Sequence, residues 1–328
     1  MWRKGLTPEE KVKMKVVFFG TPGFALPSLN ALIESHHQIA CVVTRPDRRK
    51  GRGRKIFPSP IKVLASRNNL LILQPEDITE SSLIDSLKGF EPNLFVVVAY
   101  GKILPIEILE IPSFYSINLH PSLLPKYRGP APINWTIING EKETGVTIFK
   151  MDEQMDRGDI LAQQKVRIED EDTVNTLTDK LARIGAGLLV ETLDLIERGK
   201  ATLTPQAETE ATFAPLLKKE DGRIDWAKPS KEIHNFVRGM NPWPSAFTHI
   251  GGKVLKVWKT RVLPGKVEAV PGEVIEVGEE GIMVATGDGR ILILELQLEG
   301  KKRMPTIQFL LGHPIQAGER LTAPDLRA

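Results

Sequence analysis

Three runs of consecutive apolar residues constrain this chain more than anything else in it: Val16–Gly20 (VVFFG), Ile39–Thr44 (IACVVT) and Leu94–Ala99 (LFVVVA). Each is short and continuous, the pattern of a strand buried on both faces. Between them lie stretches with apolar residues at helical spacing, beginning with Phe24–Ser35, and shorter runs at Leu71–Leu73 and Ser116–Leu119 repeat the strand theme. Strands alternating with helices imply right-handed crossovers, and so an open, mostly parallel α/β sheet with helices on both faces. Thr144–Met151 and Ile160–Ile168 read as two later strands, and Thr173–Arg198 as a long amphipathic helix that closes this domain.

The texture then changes. From Gly199 to about Leu217 the chain is polar and rich in threonine, without a clear period, and reads as a linker. Beyond it come short alternating runs, Val254–Val262, Gly272–Val277, Gly281–Ala285 and Ile291–Leu298, separated by glycine-containing turns. Strands of this length and spacing predict a small β-barrel. At 328 residues the chain exceeds one typical core. The expected division is an N-terminal extension over residues 1–13, a first domain over 14–198, the linker over 199–217 and a second domain over 218–328.

A single cysteine excludes a disulfide framework and any cysteine-based zinc cluster, which fits a reducing compartment. No apolar run approaches the roughly 20 residues of a membrane span. The polar segment from Met1 to Lys13 lacks the apolar core of a signal peptide. A cytoplasmic protein is therefore expected, with no membrane contact. No stable protein partner is implied, so a monomer is expected. Six histidines without an H-E-x-x-H pattern predict no metal site.

The formal net charge of +3 is unevenly spread. Thr44–Pro60 holds seven basic residues and one acid, and Lys218–Ala328 holds 17 basic and 14 acidic side chains. The remainder of the chain is net acidic. One intensely basic segment on an acidic body points to a localised polyanion contact.

Two places could carry chemistry. The first loop, Gly20-Thr21-Pro22-Gly23, has only two of the glycines of a dinucleotide fingerprint, and the second strand ends in Thr44-Arg45 rather than an acid. A nicotinamide oxidoreductase is thereby disfavoured. The densest signal is Ser116–Gly129 (SINLHPSLLPKYRG), where strand alternation puts Asn118 and His120 on one side at a strand's carboxyl end. Ligands of open α/β sheets bind at that end. An acidic loop, Met151–Asp159 (MDEQMDRGD), follows a later strand.

Together Phe19–Pro27 (FGTPGFALP), Val96–Gly101 (VVVAYG), Asn118–Gly129, Glu143–Gly158 and Asn241-Pro-Trp-Pro244 make the chain resemble the folate-dependent formyltransferase family, from about Met14 through the barrel. The basic insertion and the carboxyl-terminal barrel narrow the resemblance to its methionyl-tRNA branch. Pro121 and Pro130 depart from the glycine and alanine common there, beside the matched polar residues rather than at them. The resemblance implies a Rossmann-like catalytic domain and an OB-like second domain. It implies 10-formyltetrahydrofolate as formyl donor and the amino group of initiator methionyl-tRNA as acceptor.

Under the same resemblance Asn118, His120 and Asp156 carry catalysis. Asn118 would donate to the oxyanion, and His120, with an ordinary pKa of about 6.5, would exchange protons near working pH. Asp156 would orient His120 or a water. Val97, Val98, Ala99, Tyr100, Gly101 and Asp152 would line the pterin pocket, and Ser122, Leu123, Leu124 and Pro125 would cover the folate. Arg52, between two glycines, would make the most sensitive tRNA contact. Arg48, Arg49, Lys50, Arg54 and Lys55 would serve as phosphate partners, with Lys256 of the barrel adding another. Cys41 lies in an apolar strand and reads as a packed thiol. Rival readings are a formyltransferase of small amines, which would share Asn118, His120 and Asp156 without needing the basic loop, and a non-catalytic RNA-binding relative.

Overall fold

The computed structural model describes residues 13–50 and 55–322. The chain divides into two compact units. The first comprises Met1–Gly129, Thr144–Val166 and Thr178–Phe213; the second comprises Pro130–Glu143, Arg167–Leu177 and Ala214–Ala328.

The first unit is built on the strands β1 (Lys15–Gly20), β2 (Gln38–Val43), β3 (Arg48–Lys50), β4 (Lys55–Phe57), β5 (Ile72–Leu73), β6 (Leu94–Val98), β7 (Tyr115–His120), β8 (Glu143–Lys150) and β9 (Ile160–Arg167). Seven of them form one sheet in the order β5-β2-β1-β6-β7-β8-β9. The β5-β2, β2-β1, β1-β6 and β6-β7 pairs are parallel, whereas β8 runs antiparallel to β7. β3 and β4 make a separate two-stranded ribbon. Its helices are α1 (Leu26–Glu34), α2 (Pro60–Arg67), α3 (Ser81–Gly89), α4 (Ile106–Leu109) and most of α6 (Val174–Glu197), whereas α5 (Pro132–Ile138) groups with the second unit. The mostly parallel α/β sheet expected from the buried runs is therefore present.

The two faces of the sheet are distinct. Val17, Phe19, Cys41, Val43, Phe95 and Val97 share one core with Leu83, Leu87, Ile108 and Leu109 from α3 and α4. On the other face α6 lies tight against β7. A Cβ on Gly185 would sit 2.8 Å from a Leu119 methyl, so glycine is what permits the close approach. Leu119 thus faces α6, and strand alternation turns Asn118 and His120 to the opposite side.

The second unit contains α5, α7 (Ser230–Gly239), β10 (Ala246–Ile250), β11 (Lys253–Leu263), β12 (Val274–Gly278), β13 (Gly281–Ala285), β14 (Arg290–Leu298), β15 (Met304–Pro305) and α8 (Thr306–Leu310). Its sheet is antiparallel throughout, in the order β10-β11-β14-β13-β12 with β15 on β14. The segment Gly318–Thr322 bonds to His249 of β10 on one side and to Gly272 and Val274 on the other, which joins the two edges of the sheet. Trp226, Leu255, Val257, Ile282, Val284, Ile291 and Ile293 form the core.

The units do not follow the expected boundaries. Residues 130–143 and 167–177 group with the second unit, because α5 packs on α7: a Cβ on Gly239 would approach Ile138 to 2.6 Å. Residues 199–213, read as part of a linker, group with the first unit.

Candidate active site

Asn118 and His120 occupy the last turn of pleat of β7, where the strand leaves the sheet. Asn118 sits between Val97 of β6 and Phe149 of β8. Its side chain is half-buried and, among the described residues, its amide makes no hydrogen bond. A polar group so placed is free to bind something else.

His120 is 4% exposed. Its Nε2 lies 3.0 Å from the Tyr127 carbonyl oxygen, a group that can only accept, so Nε2 carries a proton. The nitrogen left to exchange a proton is Nδ1, which faces the Asp156 carboxylate at 3.6 Å. The same Asp156 Oδ2 accepts a 2.8 Å bond from the Gly129 N–H. Asp156 has φ 57°, a left-handed conformation that costs a non-glycine residue about 1 kcal/mol or more and is held only where its surroundings determine it.

Those surroundings come from the segment read as a linker. Gln206 donates from Nε2 to the main-chain carbonyls of Asp156 (2.9 Å) and Gly158 (2.8 Å). Its Oε1 accepts two bonds from Arg128, at 3.0 and 2.7 Å. Arg128, only 2% exposed, also grips Glu208 through Nη1 and Nη2, at 3.1 and 2.9 Å. That hydrogen bond and the guanidinium charges of Arg128 and Arg157 hold the Glu208 carboxyl below the ordinary glutamate range. Gly158 completes the turn, since a Cβ there would fall on the Lys150 carbonyl oxygen. Arg128, Gln206 and Glu208 were missed by sequence reasoning about the site. The available signal was Arg128 inside the SLLPKYRG motif; nothing local marks Gln206.

The loop after β6 lies beside Asn118. Ala99 (φ 48°) and Gly101 (φ 81°) are exposed and left-handed, whereas Tyr100 between them is buried edge-on against Phe19. Burial pushes the Tyr100 phenol up to about 12, so it stays neutral. Its carbonyl accepts from Thr21 Oγ1 at 3.0 Å. Of the expected pocket residues Val97, Val98 and Tyr100 are buried in the sheet or its core, and Ala99 and Gly101 present backbone. Asp152 is exposed, and its Oδ1 accepts from the Gln154 N–H at 2.8 Å.

The Ser122–Pro125 segment is tied down rather than loose. The Ser122 hydroxyl donates to the Lys126 carbonyl at 2.7 Å, and Thr147 and Gln163 bond the main chain at Ser122 and Leu124. Ser122 and Leu124 are buried; Leu123 and Pro125 are half-buried. The surface this stretch exposes is therefore apolar, from Leu123 and Pro125.

The basic segment leaves β2 at the same edge of the sheet. Asp47, its one acid, binds Lys62 Nζ at 2.7 Å and Gln74 Nε2 at 2.9 Å, anchoring the root. Arg45 lies against Gly101, with Nη1 3.3 Å from where a Cβ would stand. Arg48 is exposed, and Arg48, Arg49, Lys50 and Lys55 lie on the β3–β4 ribbon. Arg52 and Arg54 fall outside the described residues. In the second unit, Lys256 Nζ and Arg303 lie over the Trp258 ring at 5.7 and 4.7 Å, whereas Lys259 and Arg261 are paired with Glu171 and Glu280. Trp258 is thus flanked by cations, while Trp226 belongs to the core. No helix among the described residues is long and apolar enough to cross a membrane.

Comparison with known proteins gives these groups a context. The formyl transferase family matches residues 14–193, more than half of the chain, and the formyl transferase C-terminal domain matches residues 216–314. The chain is 50% identical over 306 residues to the methionyl-tRNA formyltransferase of Desulforamulus reducens, covering 93% of this chain and 96% of that one. It is 48% identical over 305 residues to that of Clostridioides difficile, covering 93% and 99%. Among solved structures, the sugar 3N-formyl transferase WlaRD, crystallised with dTDP and 5-N-formyl-THF, superposes with a TM-score of 0.65 at 23% identity, over 88% of this chain and 99% of that chain. HypX from Aquifex aeolicus, in complex with tetrahydrofolic acid, superposes at 0.63 and 19% identity over 91% and 47%; at these identities both show the fold alone. With half its residues identical to those enzymes over almost its full length, the chain belongs to the methionyl-tRNA formyltransferases of the formyl transferase family.

Proposed function

We propose that this chain transfers the formyl group of 10-formyltetrahydrofolate to the free amino group of initiator methionyl-tRNA, for the initiation of translation. The observation that carries the reading is the unpartnered Asn118 amide standing beside a His120–Asp156 pair at the carboxyl end of β7. Formyl transfer forms a C–N bond to the attacking amine and breaks the C–N bond to the folate. The amine loses a proton, and the folate nitrogen gains one. Between these events the formyl oxygen bears negative charge.

Asn118 is assigned to that oxygen, because its amide N–H is uncommitted among the described residues and partly shielded from water, where a donor counts for more than in bulk solvent. His120 Nδ1 is assigned to the protons, its other nitrogen being held by the Tyr127 carbonyl. Asp156, whose Oδ2 lies 3.6 Å from Nδ1, fixes the direction of the ring. The exposed backbone at Ala99 and Gly101 suits the edge of a flat heterocycle, with Leu123 and Pro125 offering apolar cover and Asp152 a carboxylate at the rim. The neutral, buried Tyr100 adds no charge there. The family's donor fits these residues, which supply main-chain donors and acceptors beside an oxyanion donor.

The acceptor is assigned to the edge where β2 releases its basic segment, on the grounds of charge and of the anchoring of its root by Asp47. Arg52 is assigned the most sensitive contact, Arg48, Arg49, Lys50, Arg54 and Lys55 the phosphates, and Lys256, beside Trp258 in the second unit, a further backbone contact. The test is formylation of charged initiator tRNA, with elongator methionyl-tRNA as control, across a salt series. The expected result is formylmethionyl product with the initiator, apparent tRNA affinity falling steeply with salt, and further loss in Arg52→Ala at low substrate. Absence of product with both tRNAs sinks the reading; a flat salt response favours a small amine as acceptor.

A further inference from the structure

Far along the chain from the groups above, four side chains converge that no step of the transfer uses. His36 and His37 stand in the turn between α1 and β2, and Asp194 and Glu197 lie three residues apart on one face of α6. One ligating atom from each lies within 4.8 Å of every other. His36 Nε2 is 3.0 Å from Glu197 Oε2 and 3.9 Å from Asp194 Oδ1, and His37 Nε2 is 3.2 Å from that same Asp194 oxygen. A tetrahedron with metal–ligand arms of about 2.0–2.1 Å has edges of about 3.3–3.4 Å, and these three separations bracket it.

The cluster is enclosed rather than splayed on the surface. The His37 side chain is fully buried and that of Glu197 is 6% exposed; His36 and Asp194, each near 30%, leave a path inward. Among the described residues Glu197 Oε1 is buried without a hydrogen-bond partner, although Oε2 of the same carboxylate lies 3.0 Å from His36 Nε2. The nearby Arg198 does not serve: its guanidinium is 3.8 Å from the outer Asp194 oxygen, Oδ2, and is more than half exposed. The turn holding the histidines is itself fixed, by Ser35 Oγ donating to the Leu32 carbonyl at 2.8 Å and accepting from the His37 N–H at 3.2 Å.

We infer that His36, His37, Asp194 and Glu197 form a binding site for a divalent transition-metal ion, with zinc the best match. Two imidazoles and two carboxylates are borderline ligands suited to zinc rather than to calcium or magnesium, and two carboxylate charges balance one dication. The site is structural. It immediately precedes β2, at the amino ends of the parallel strands, whereas Asn118 and His120 stand at the carboxyl ends. Its effect is to clamp the end of α6 to the α1–β2 turn within the first unit. The sequence offered no hint because the two pairs are about 160 residues apart and no spaced motif links them.

The test uses the intact chain, stripped with a chelator, and Co2+ as the optical probe with Zn2+ as competitor. The expected result is one Co2+ per chain with the intense visible bands of a tetrahedral site, bleached by Zn2+, and a rise in Tm on adding Zn2+. Asp194→Asn combined with Glu197→Gln, which keeps the shapes, is expected to weaken binding at least about tenfold and abolish the rise in Tm. His36→Gln, at a partly exposed position, should weaken binding without disturbing the metal-free fold. Only weak octahedral Co2+ absorption in the wild type, or equal affinity in the double variant, overturns the inference.

Discussion

Gln206 donates a 2.9 Å hydrogen bond to the main-chain carbonyl of Asp156, fifty residues earlier in the chain. With the second bond to Gly158 and the two it accepts from the buried Arg128, this amide holds the left-handed turn that aims the Asp156 carboxylate at His120. Gln206 is thus a positioning residue.

Gln206→Leu keeps the bulk but removes both ends of the clamp. The expected outcome is a fall in kcat of about 10–100-fold with little change in KM for the donor, because the carboxylate is misplaced while the pocket backbone persists. Stability should drop by about 1–3 kcal/mol, since Arg128 and two carbonyls lose partners. Steady-state kinetics and denaturant unfolding check both. An unchanged kcat in a destabilised variant would show that Gln206 merely braces the fold.

Glu208 makes the outer half of the same clamp, and its carboxyl is held below the ordinary value near 4.5 by the hydrogen bond from Arg128. A lowered folded value stabilises the protein above the unfolded value and loses that contribution as pH falls through the folded one. Wild type should therefore exceed Glu208→Gln in Tm at pH 7, and the gap should close below about pH 4.5. The gap is small because half of the Glu208 side chain is in water. Melting both proteins across pH 3–8 measures it; a gap that widens on acidification is inconsistent with the clamp.

How much of this was legible beforehand differs by residue. The buried runs declared the sheet, and alternation along Ser116–His120 put Asn118 and His120 together, because both are local properties of a strand. Gln206 and Glu208 were invisible. Their partners lie 48 to 80 residues away, and polar residues in a stretch without a period look the same whether solvated or bonded. The same blindness applies to residues 130–143 and 167–177, whose grouping with the second unit depends on packing of α5 on α7. Tyr100 is expected at the pterin pocket; its ring is part of the α3–α4 core, so any contact it makes with a ligand there is through its backbone.

Cys41, the only cysteine, is packed in that core, and burial pushes its thiol up to about 12. At pH 8 only about one molecule in 10⁴ would carry a thiolate, and the nucleophile is the thiolate. The native chain should resist a disulfide reagent for hours and release one thiol equivalent in guanidinium. Rapid modification of the native protein, matched by loss of activity, would mean that the strand opens far more readily than its burial implies.

The central claim is that Asn118 stabilises the charge that develops on the formyl oxygen. Its amide has no partner among the described residues, so truncation orphans nothing and the fold should keep its stability within about 0.5 kcal/mol. The direct measurement is the single-turnover rate of formyl transfer by Asn118→Ala with both substrates saturating. The account predicts a fall of about 10²–10³-fold with an unchanged melting temperature. A rate within threefold of wild type would contradict it.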